Sequence, residues 1–242
     1  MFLTATRLDD PPELLEPYLE NLGVVRALQE APLQFRAPIT VITGENGVGK
    51  STLIEALAVG MRLNPEGGSR HANFGTVKDS VSSLGAALTL TRRENPRDAF
   101  FLRGESYFNV AKYYEGLAPP PPGGPRMDDL LKMSHGQGLV ALIKRRFHSN
   151  GLFFLDEPEA GLSVLRQLEL LGTLYHLARQ GSQIIMATHS PVLLAIPGAE
   201  IWEFTGDGVA VVAFDSAESV RAAREFVADP RGTARFMIGE DE

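Results

Sequence analysis

One segment constrains the fold of this chain more than any other, the glycine-rich run GENGVGKST at residues 44–52. The β-branched run ITVIT at 39–43 leads directly into it. The segment after it, STLIEALAVGM, carries apolar residues at helical spacing. The order strand, glycine-rich loop, helix is therefore predicted for this part of the chain.

The loop satisfies the pattern G-x-x-x-x-G-K-[ST] in full. Its glycines let backbone amides approach phosphate oxygens without obstruction by a Cβ atom, and the start of a helix favours anions. Lys50 would reach the β- and γ-phosphates, and Ser51 would bind Mg²⁺. The predicted nucleotide-binding residues are Gly44, Glu45, Asn46, Gly47, Val48, Gly49, Lys50, Ser51 and Thr52.

Two later apolar runs, GLFFLDEP at 151–158 and SQIIMATHS at 182–190, are typical of strands buried on both faces of a parallel sheet. Strands that alternate with helices predict an α/β fold with a mostly parallel central sheet flanked by helices. The segment at 163–181 between these strands predicts a helix that ends near Gly181. The apolar face predicted for it comprises Val164, Leu165, Leu168, Leu171, Leu174, Tyr175 and Ala178.

The ends of the two predicted strands carry candidate catalytic groups. Asp156 and Glu157 follow the first strand, so one carboxylate would hold the metal and Glu157 would orient or deprotonate the attacking water. His189 ends the second strand at the edge where parallel sheets bind ligands, and it could contact the γ-phosphate. Packing or capping is the alternative role of His189. The predicted catalytic residues are thus Lys50, Glu157 and His189.

A further anion site is possible at KMSHGQG, residues 132–138. Ser134 precedes a helical pattern, so it can be read as an ordinary N-cap. The same geometry would let its hydroxyl and the amides of Gly136 to Gly138 bind an anion.

The order of these motifs resembles the ABC-type ATPases. KMSHGQG is similar to their signature motif, with Met133 and His135 in place of leucine and the first glycine, and EPEAGLS at 157–163 is similar to their D-loop. The resemblance covers nearly the whole chain. The short form of the chain also resembles the small stand-alone AAA-family ATPases of bacteria, which are related to the SMC-like repair ATPases.

The resemblance implies a P-loop NTPase fold and an Mg²⁺-dependent ATPase that works as a head-to-tail homodimer. Each ATP would be sandwiched between the loop around Lys50 in one subunit and the signature residues of the other. Those trans contacts would come from Ser134, His135, Gly136 and Gln137, and Ser51 and Asp156 would hold Mg²⁺. Binding would close the dimer and hydrolysis would open it, so the dimer would act as a mechanical switch.

Several departures keep other functions open. No glutamine occurs between Lys50 and Gln137, where a transporter ATPase carries its Q-loop, and Glu105 is the stand-in that we consider. Ser163 replaces the usual D-loop aspartate. The alternatives are therefore the nucleotide-binding subunit of a membrane transporter and a nucleotide-binding regulator that does not hydrolyse ATP.

Composition agrees with a folded ATPase of this size. The length of 242 residues predicts one large domain or a core with an inserted lobe, and the resemblance implies a single ABC-type ATPase domain over 1–242. A small inserted helical lobe is predicted at 64–136, with two possible strands at 86–91 and 99–103. A net charge of −7 disfavours a nucleic-acid polymer overall. Two basic clusters could still meet an unknown protein or nucleic-acid partner or form a solvated face, and they comprise Arg92, Arg93, Arg97 and Arg103, and Lys144, Arg145 and Arg146. The absence of cysteine and of any long apolar stretch predicts a cytoplasmic protein without membrane insertion.

The residue that contacts adenine stays open at this stage. A base-stacking partner must be aromatic or an arginine near the loop. Four residues qualify by type, and the sequence does not discriminate between Tyr18, Arg26, Phe35 and Phe74.

Overall fold

The computed structural model describes residues 1–9, 15–70, 82–105, 107–115 and 130–239. In this part of the chain the strands are β1 (Leu3–Leu8), β2 (Leu33–Gln34), β3 (Ile39–Gly44), β4 (Gly68–Ser69), β5 (Leu88–Arg92), β6 (Asp98–Arg103), β7 (Gly151–Asp156), β8 (Gln183–Ala187), β9 (Glu200–Thr205) and β10 (Gly208–Val212). The α-helices are α1 (Gly23–Glu30), α2 (Lys50–Gly60), α3 (Tyr107–Glu115), α4 (His135–Arg146), α5 (Val164–Arg179), α6 (Pro191–Leu194), α7 (Glu218–Ala228) and α8 (Pro230–Ile238).

The main sheet has the strand order β10-β9-β3-β8-β7-β6-β4. Its five inner strands pair in parallel, and the edge strands β10 and β4 pair antiparallel. Every residue of β7 and β8 is buried, as expected for the centre of a sheet covered on both faces. The predicted α/β fold with a mostly parallel sheet is confirmed.

The two faces of the main sheet pack against different layers. Phe154 and Ile185 face a core that includes α1, α2 and a small antiparallel sheet of order β2-β1-β5. Phe153 and Ile184, the alternate positions, face a core built with α4, α5 and α6. Because side chains of a strand alternate between faces, this division follows from the period of two. The glycine-rich loop and its helix thus lie on one face, and the signature helix lies on the other.

One part of the helix prediction for 163–181 is wrong. The helix forms at α5 and Gly181 follows it with a φ of 87°. Its buried face, however, is Leu170, Leu174 and Leu177, whereas Val164, Leu165 and Leu168 are exposed. Helical spacing admits two neighbouring stripes in this leucine-rich segment, and the packing against α4 and β8 selects the later one.

The predicted insertion at 64–136 is described only in part. Its two predicted strands form as β5, which pairs with β1, and β6, which pairs with β7. Residues 71–81, 106 and 116–129 lie outside the described residues, so a separate lobe stays a prediction. Among the described helices, none is long and apolar enough to cross a membrane.

Candidate nucleotide site

Four candidate segments follow adjacent strands of the main sheet. The glycine-rich loop follows β3, His189 follows β8, Asp156 ends β7, and Arg103 ends β6. Since these strands are parallel and hydrogen-bonded in the order β3-β8-β7-β6, their carboxyl ends meet at one edge of the sheet. Ligands of open α/β sheets bind at this edge.

The glycine-rich loop has the backbone that its glycines predict. Gly44, Gly47 and Gly49 have φ values of 130°, 84° and 97°, a region that residues with a Cβ rarely occupy. A Cβ at Gly44 would also lie 2.0 Å from the carbonyl oxygen of Phe204. The loop continues into α2 at Lys50, so free helix amides lie next to it. This backbone is suited to holding an anion.

Lys50 is buried against its own loop. Its side-chain Nζ donates to the carbonyl oxygens of Gly44 at 2.8 Å and Glu45 at 2.7 Å. Burial lowers the pKa of Lys50, and the nearby charges of Glu157 and Asp156 oppose this change. The ammonium group therefore lies against its own loop and close enough to both acidic residues for their charges to act on it.

Asp156 fits a role as a metal ligand. Burial raises its pKa to about 6, although a hydrogen bond from the Ser51 hydroxyl and the charge of Arg103 lower it. Its Oδ1 atom is buried and has no hydrogen-bond partner among the described residues. An orphaned carboxylate oxygen beside a hydroxyl offers the hard oxygen donors that Mg²⁺ prefers. Ser51 and Asp156 thus fit the predicted metal site.

Glu157 has a strained backbone that fixes where its side chain points. Its φ of 47° is unusual for a residue with a Cβ, and it is held by a hydrogen bond from its amide to the carbonyl oxygen of Ala187, at 2.9 Å. Gly104 packs against the same turn, because a Cβ there would lie 2.2 Å from the carbonyl oxygen of Glu157. The carboxylate then lies 3.9 Å from Nε2 of His189 and is 40% exposed.

His189 is held by its backbone and leaves its ring nitrogen available. Its amide donates to Oε1 of Glu159 at 2.8 Å, and its Nε2 is buried without a hydrogen-bond partner in the described part of the chain. Burial lowers the pKa of His189, and Lys50 lowers it further, whereas Glu157 and Glu159 raise it. The neutral form of the imidazole is therefore favoured, and its Nε2 can donate a hydrogen bond to a phosphate or form one with a water.

The signature segment forms the helix N-terminus that the sequence predicts. Ser134 accepts a hydrogen bond from the Gln137 amide at 3.4 Å, and the Gln137 side chain accepts one from the Ser134 amide at 3.3 Å. This is a capping box, the structural alternative for Ser134. In the described residues, no hydrogen bond or ion pair joins this segment to the glycine-rich loop.

The signature turn is instead packed against its own D-loop and α3. The His135 ring lies 5.1 Å from that of Tyr107 and 5.2 Å from that of Phe108, between centroids. Cβ atoms built at Gly136 and Gly161 would lie 2.9 Å from Leu162 and His135, respectively. His135 therefore fills a packed junction rather than disrupting the turn, and Ser134 and Gln137 are exposed.

A pair of glycine substitutions tests this packing. A Cβ at Gly138 would lie 1.9 Å from the Tyr107 hydroxyl and 2.7 Å from its ring, so Gly138→Ala should lower the free energy of unfolding by about 1–3 kcal/mol. Gly172 in α5 has open space around it, so Gly172→Ala should raise stability by about 0.5–1 kcal/mol. Denaturant unfolding of both variants measures the difference. Equal effects of the two changes would show that the α3–α4 contact is looser than described.

Sequence reasoning missed the acidic partners of Arg103, which it placed only in a basic cluster. The Arg103 guanidinium donates to Glu55 at 3.0 Å and lies 3.5 Å from Asp156. Glu105, the proposed Q-loop stand-in, is exposed, and its charge raises the pKa of Asp156. Nothing in the sequence signals this pairing, because it depends on β6 lying beside β7 in the sheet.

Several basic and aromatic candidates have other partners. Lys144 pairs with Glu169 at 2.5 Å, and Arg146 pairs with Asp98, which favours a solvated, internally paired surface. Phe35 is 2% exposed and stacks on Trp202, so it is not a free platform for a base. Tyr18 is exposed, and Phe74 lies outside the described residues.

Comparison with known proteins identifies the class. Residues 131–195 match the family described as "AAA domain, putative AbiEii toxin, Type IV TA system", and residues 18–98 match the family "AAA domain". The chain is 31% identical over 188 residues to a "Putative ABC transporter ATP-binding protein SCO2324" of Streptomyces coelicolor, covering 71% of this chain and only 32% of that relative. The chain thus spans about a third of the length of that relative.

Another relative is matched over most of its length. The "Cytochrome c biogenesis ATP-binding export protein CcmA" of Mesorhizobium japonicum is 32% identical over 172 residues, covering 66% of this chain and 82% of the relative. A solved chain described as "An inward-facing conformation of a putative metal-chelate type ABC transporter" has a TM-score of 0.51 at 16% identity, covering 92% of this chain and 88% of that one, and it supports the fold. The chain belongs to the ABC-type P-loop ATPases, a class of enzymes that bind and hydrolyse ATP.

Proposed function

We propose that this ABC-type ATPase binds Mg²⁺-ATP at residues 44–52 and hydrolyses it in a head-to-tail homodimer that closes on binding and opens after hydrolysis. The observation that carries the proposal is the convergence of Lys50, Asp156, Glu157 and His189 at one sheet edge, while Ser134 lies exposed on a separate helix start. One copy supplies the phosphate site. A second copy would supply the signature contacts.

Each residue at the sheet edge has a role in this proposal. The loop amides and Lys50 would bind the β- and γ-phosphates, and Ser51 and Asp156 would hold Mg²⁺. The metal, when bound, would neutralise developing charge on the phosphates. Glu157 would orient or deprotonate water, and the neutral ring of His189 would contact the γ-phosphate or that water. Glu105 is proposed as a neighbour of this site, without a direct metal contact.

The need for a second copy follows from the position of the signature segment. Its capping box orients Ser134 and Gln137 at an exposed helix start, whose amides favour an anion. That start packs on its own D-loop rather than on its own phosphate loop. A head-to-tail pair related by a twofold axis would bring each signature segment against the phosphates held by the other copy.

Mixing two inactive variants tests the composite site. Lys50→Ala removes the phosphate-binding lysine from the copy that carries the change. Ser134→Arg blocks the contact that its copy would make with the ATP bound by the other copy. In a mixed head-to-tail dimer, one site would combine both defects and the other would be intact. An equal mixture should therefore recover about a quarter of wild-type phosphate release, from statistical pairing of the two copies.

The controls define how this experiment fails. Each variant alone should be inactive, and a Lys144→Ala protein mixed with wild type should show full activity, because Lys144 lies on the exposed face of α4. Activity of Ser134→Arg alone, or no recovery on mixing when dimers form, would contradict the head-to-tail sandwich.

A second candidate function is the nucleotide-binding subunit of a membrane transporter. The printed names of both sequence relatives favour it, since they describe an ABC transporter protein and an export protein. The end of β6, where Arg103, Gly104 and Glu105 stand without a glutamine, disfavours it. Co-purification with an integral membrane protein would support this second candidate. The cytoplasmic location and any protein or nucleic-acid partner stay predictions.

A further inference from the structure

Arg103 joins the phosphate-loop helix to the predicted metal ligand. It is the last residue of β6 and the register partner of Asp156 in β7. Its Nη1 atom donates to Oε2 of Glu55 at 3.0 Å, and its Nε atom lies 3.5 Å from Oδ2 of Asp156. One guanidinium thus contacts a carboxylate of α2 and the carboxylate that ends β7.

Both acidic partners are shielded from water. The side chain of Glu55 is 8% exposed and that of Asp156 is 7% exposed, whereas that of Arg103 is 27% exposed. Glu55 is also fixed by the Ser82 amide, which donates to its other oxygen at 3.2 Å. A buried carboxylate needs a compensating charge or several hydrogen bonds to remain ionised. Arg103 supplies that charge to both residues.

The contacts of Arg103 are unequal in strength. The bond to Glu55 has the geometry of a hydrogen bond, while the approach to Asp156 is an ion pair at a longer distance. Glu55 lies one helical turn beyond Ser51, so both residues occupy the same face of α2. Arg103 can therefore weaken its contact with Asp156 and remain anchored to Glu55.

The two oxygens of Asp156 have different surroundings. Oδ2 faces the guanidinium, and Oδ1 is buried with no hydrogen-bond partner among the described residues. A divalent cation on this carboxylate and the guanidinium beside it would repel each other, because both are positive and the surroundings are largely dry. The cation and the Arg103 guanidinium would therefore compete for the negative charge of the Asp156 carboxylate.

We propose that Arg103 is a positioning residue that shares the Asp156 carboxylate with Mg²⁺ and so makes nucleotide binding less dependent on the metal. Without Mg²⁺, the guanidinium offsets the repulsion between Asp156 and the phosphates. With Mg²⁺, the same guanidinium opposes metal binding. This inference rests on the proposed function, in which Asp156 lies beside the phosphates of ATP.

Nucleotide binding with and without metal tests the role of Arg103. The full chain is titrated with adenylyl imidodiphosphate by calorimetry, once with excess Mg²⁺ and once with EDTA, and the ratio of the two Kd values is the readout. Arg103→Gln should raise the ratio of Kd in EDTA to Kd in Mg²⁺ about tenfold over wild type, the effect of one close charge pair. Arg103→Lys keeps the charge and should leave the ratio within about threefold of wild type.

Arg146→Gln is the matched control, because Arg146 pairs with Asp98 at the opposite end of β6. It should leave the ratio unchanged. An unchanged ratio in Arg103→Gln, or an equal rise of both Kd values, would overturn the proposal. If Arg103→Gln does not fold, the double variant Arg103→Gln with Glu55→Gln is used, because it removes the buried charge of Glu55 that would lose its partner. The same ratio of Kd values then decides the outcome.

The same titrations separate this inference from the proposed function. A wild-type protein that binds no nucleotide even with Mg²⁺ would contradict the proposed site as a whole. If wild type binds nucleotide more tightly with Mg²⁺, and Arg103→Gln has the same ratio of Kd in EDTA to Kd in Mg²⁺ as wild type, only the role of Arg103 is contradicted.

Discussion

Replacing Glu157 with glutamine is expected to abolish ATP turnover while ATP binding is retained. The half-exposed carboxylate lies 3.9 Å from Nε2 of His189, and in the described residues no hydrogen bond or ion pair joins it to the loop that would bind the phosphates. Removing a general base typically lowers the rate by about 100-fold to 10,000-fold. Phosphate release under saturating Mg²⁺-ATP measures the loss, and calorimetry measures the retained affinity.

The same variant should accumulate as a closed dimer. If hydrolysis opens the dimer, a protein that binds but does not hydrolyse ATP stays closed, and its mass in light scattering should double on addition of Mg²⁺-ATP. Glu169→Gln is the control, since Glu169 lies on α5 and pairs with Lys144 and Arg166. A Glu157→Gln protein that remains monomeric at saturating ATP would contradict the sandwich. Turnover similar to wild type would contradict the role of Glu157.

The strain at Glu157 explains why glutamine is the appropriate substitution. The φ of 47° is held by the Ala187 carbonyl oxygen and by the close approach of Gly104, neither of which involves the side chain. Glutamine has nearly the same shape, so the backbone turn should survive and only the charge is lost. The change therefore reports on chemistry rather than on folding.

The sequence predicted the strands and the loop best where local pattern and burial agree. The runs before Gly44, Asp156 and His189 are mostly apolar or β-branched and are buried, and they form central strands because both faces of the sheet are covered. The functional groups then follow from position, since the carboxyl ends of parallel strands share one edge. The strand, loop and helix around Lys50 needed no tertiary information.

The sequence could not predict features that depend on which strands become neighbours. The pairing of Arg103 with Asp156 arises because β6 lies beside β7, and nothing local indicates that register. The buried face of α5 was assigned wrongly only in its first turns, at Val164, Leu165 and Leu168, because both leucine stripes are apolar and only the packed neighbours choose between them. The N-cap role of Ser134 follows from the local pattern, whereas its trans contact rests on the resemblance to ABC-type ATPases and stays a prediction, since it requires a partner copy.

Replacing Lys50 with alanine is expected to weaken nucleotide binding strongly. Lys50 is 6% exposed, and its Nζ atom donates to the Gly44 and Glu45 carbonyl oxygens, within the influence of the charges of Asp156 and Glu157. A charged hydrogen bond contributes about 1.5–3 kcal/mol, so the Kd for ATP should rise by roughly 10-fold to 150-fold. Alanine also removes the positive charge that offsets Asp156 and Glu157, so these two carboxylates would repel the phosphates more strongly.

The Lys50 experiment distinguishes a binding role from a folding role. Lys50→Met keeps most of the apolar stem without the charge, so it should fold and should lose affinity as Lys50→Ala does. Lys144→Ala, which removes an exposed lysine of α4, should bind ATP as wild type does. Calorimetry with Mg²⁺-ATP gives the affinities, and thermal unfolding in buffer alone shows that the variants fold. If Lys50→Ala is folded and binds ATP as tightly as wild type, the phosphates lie elsewhere, and the roles assigned to Ser51, Asp156 and Glu157 fail with it.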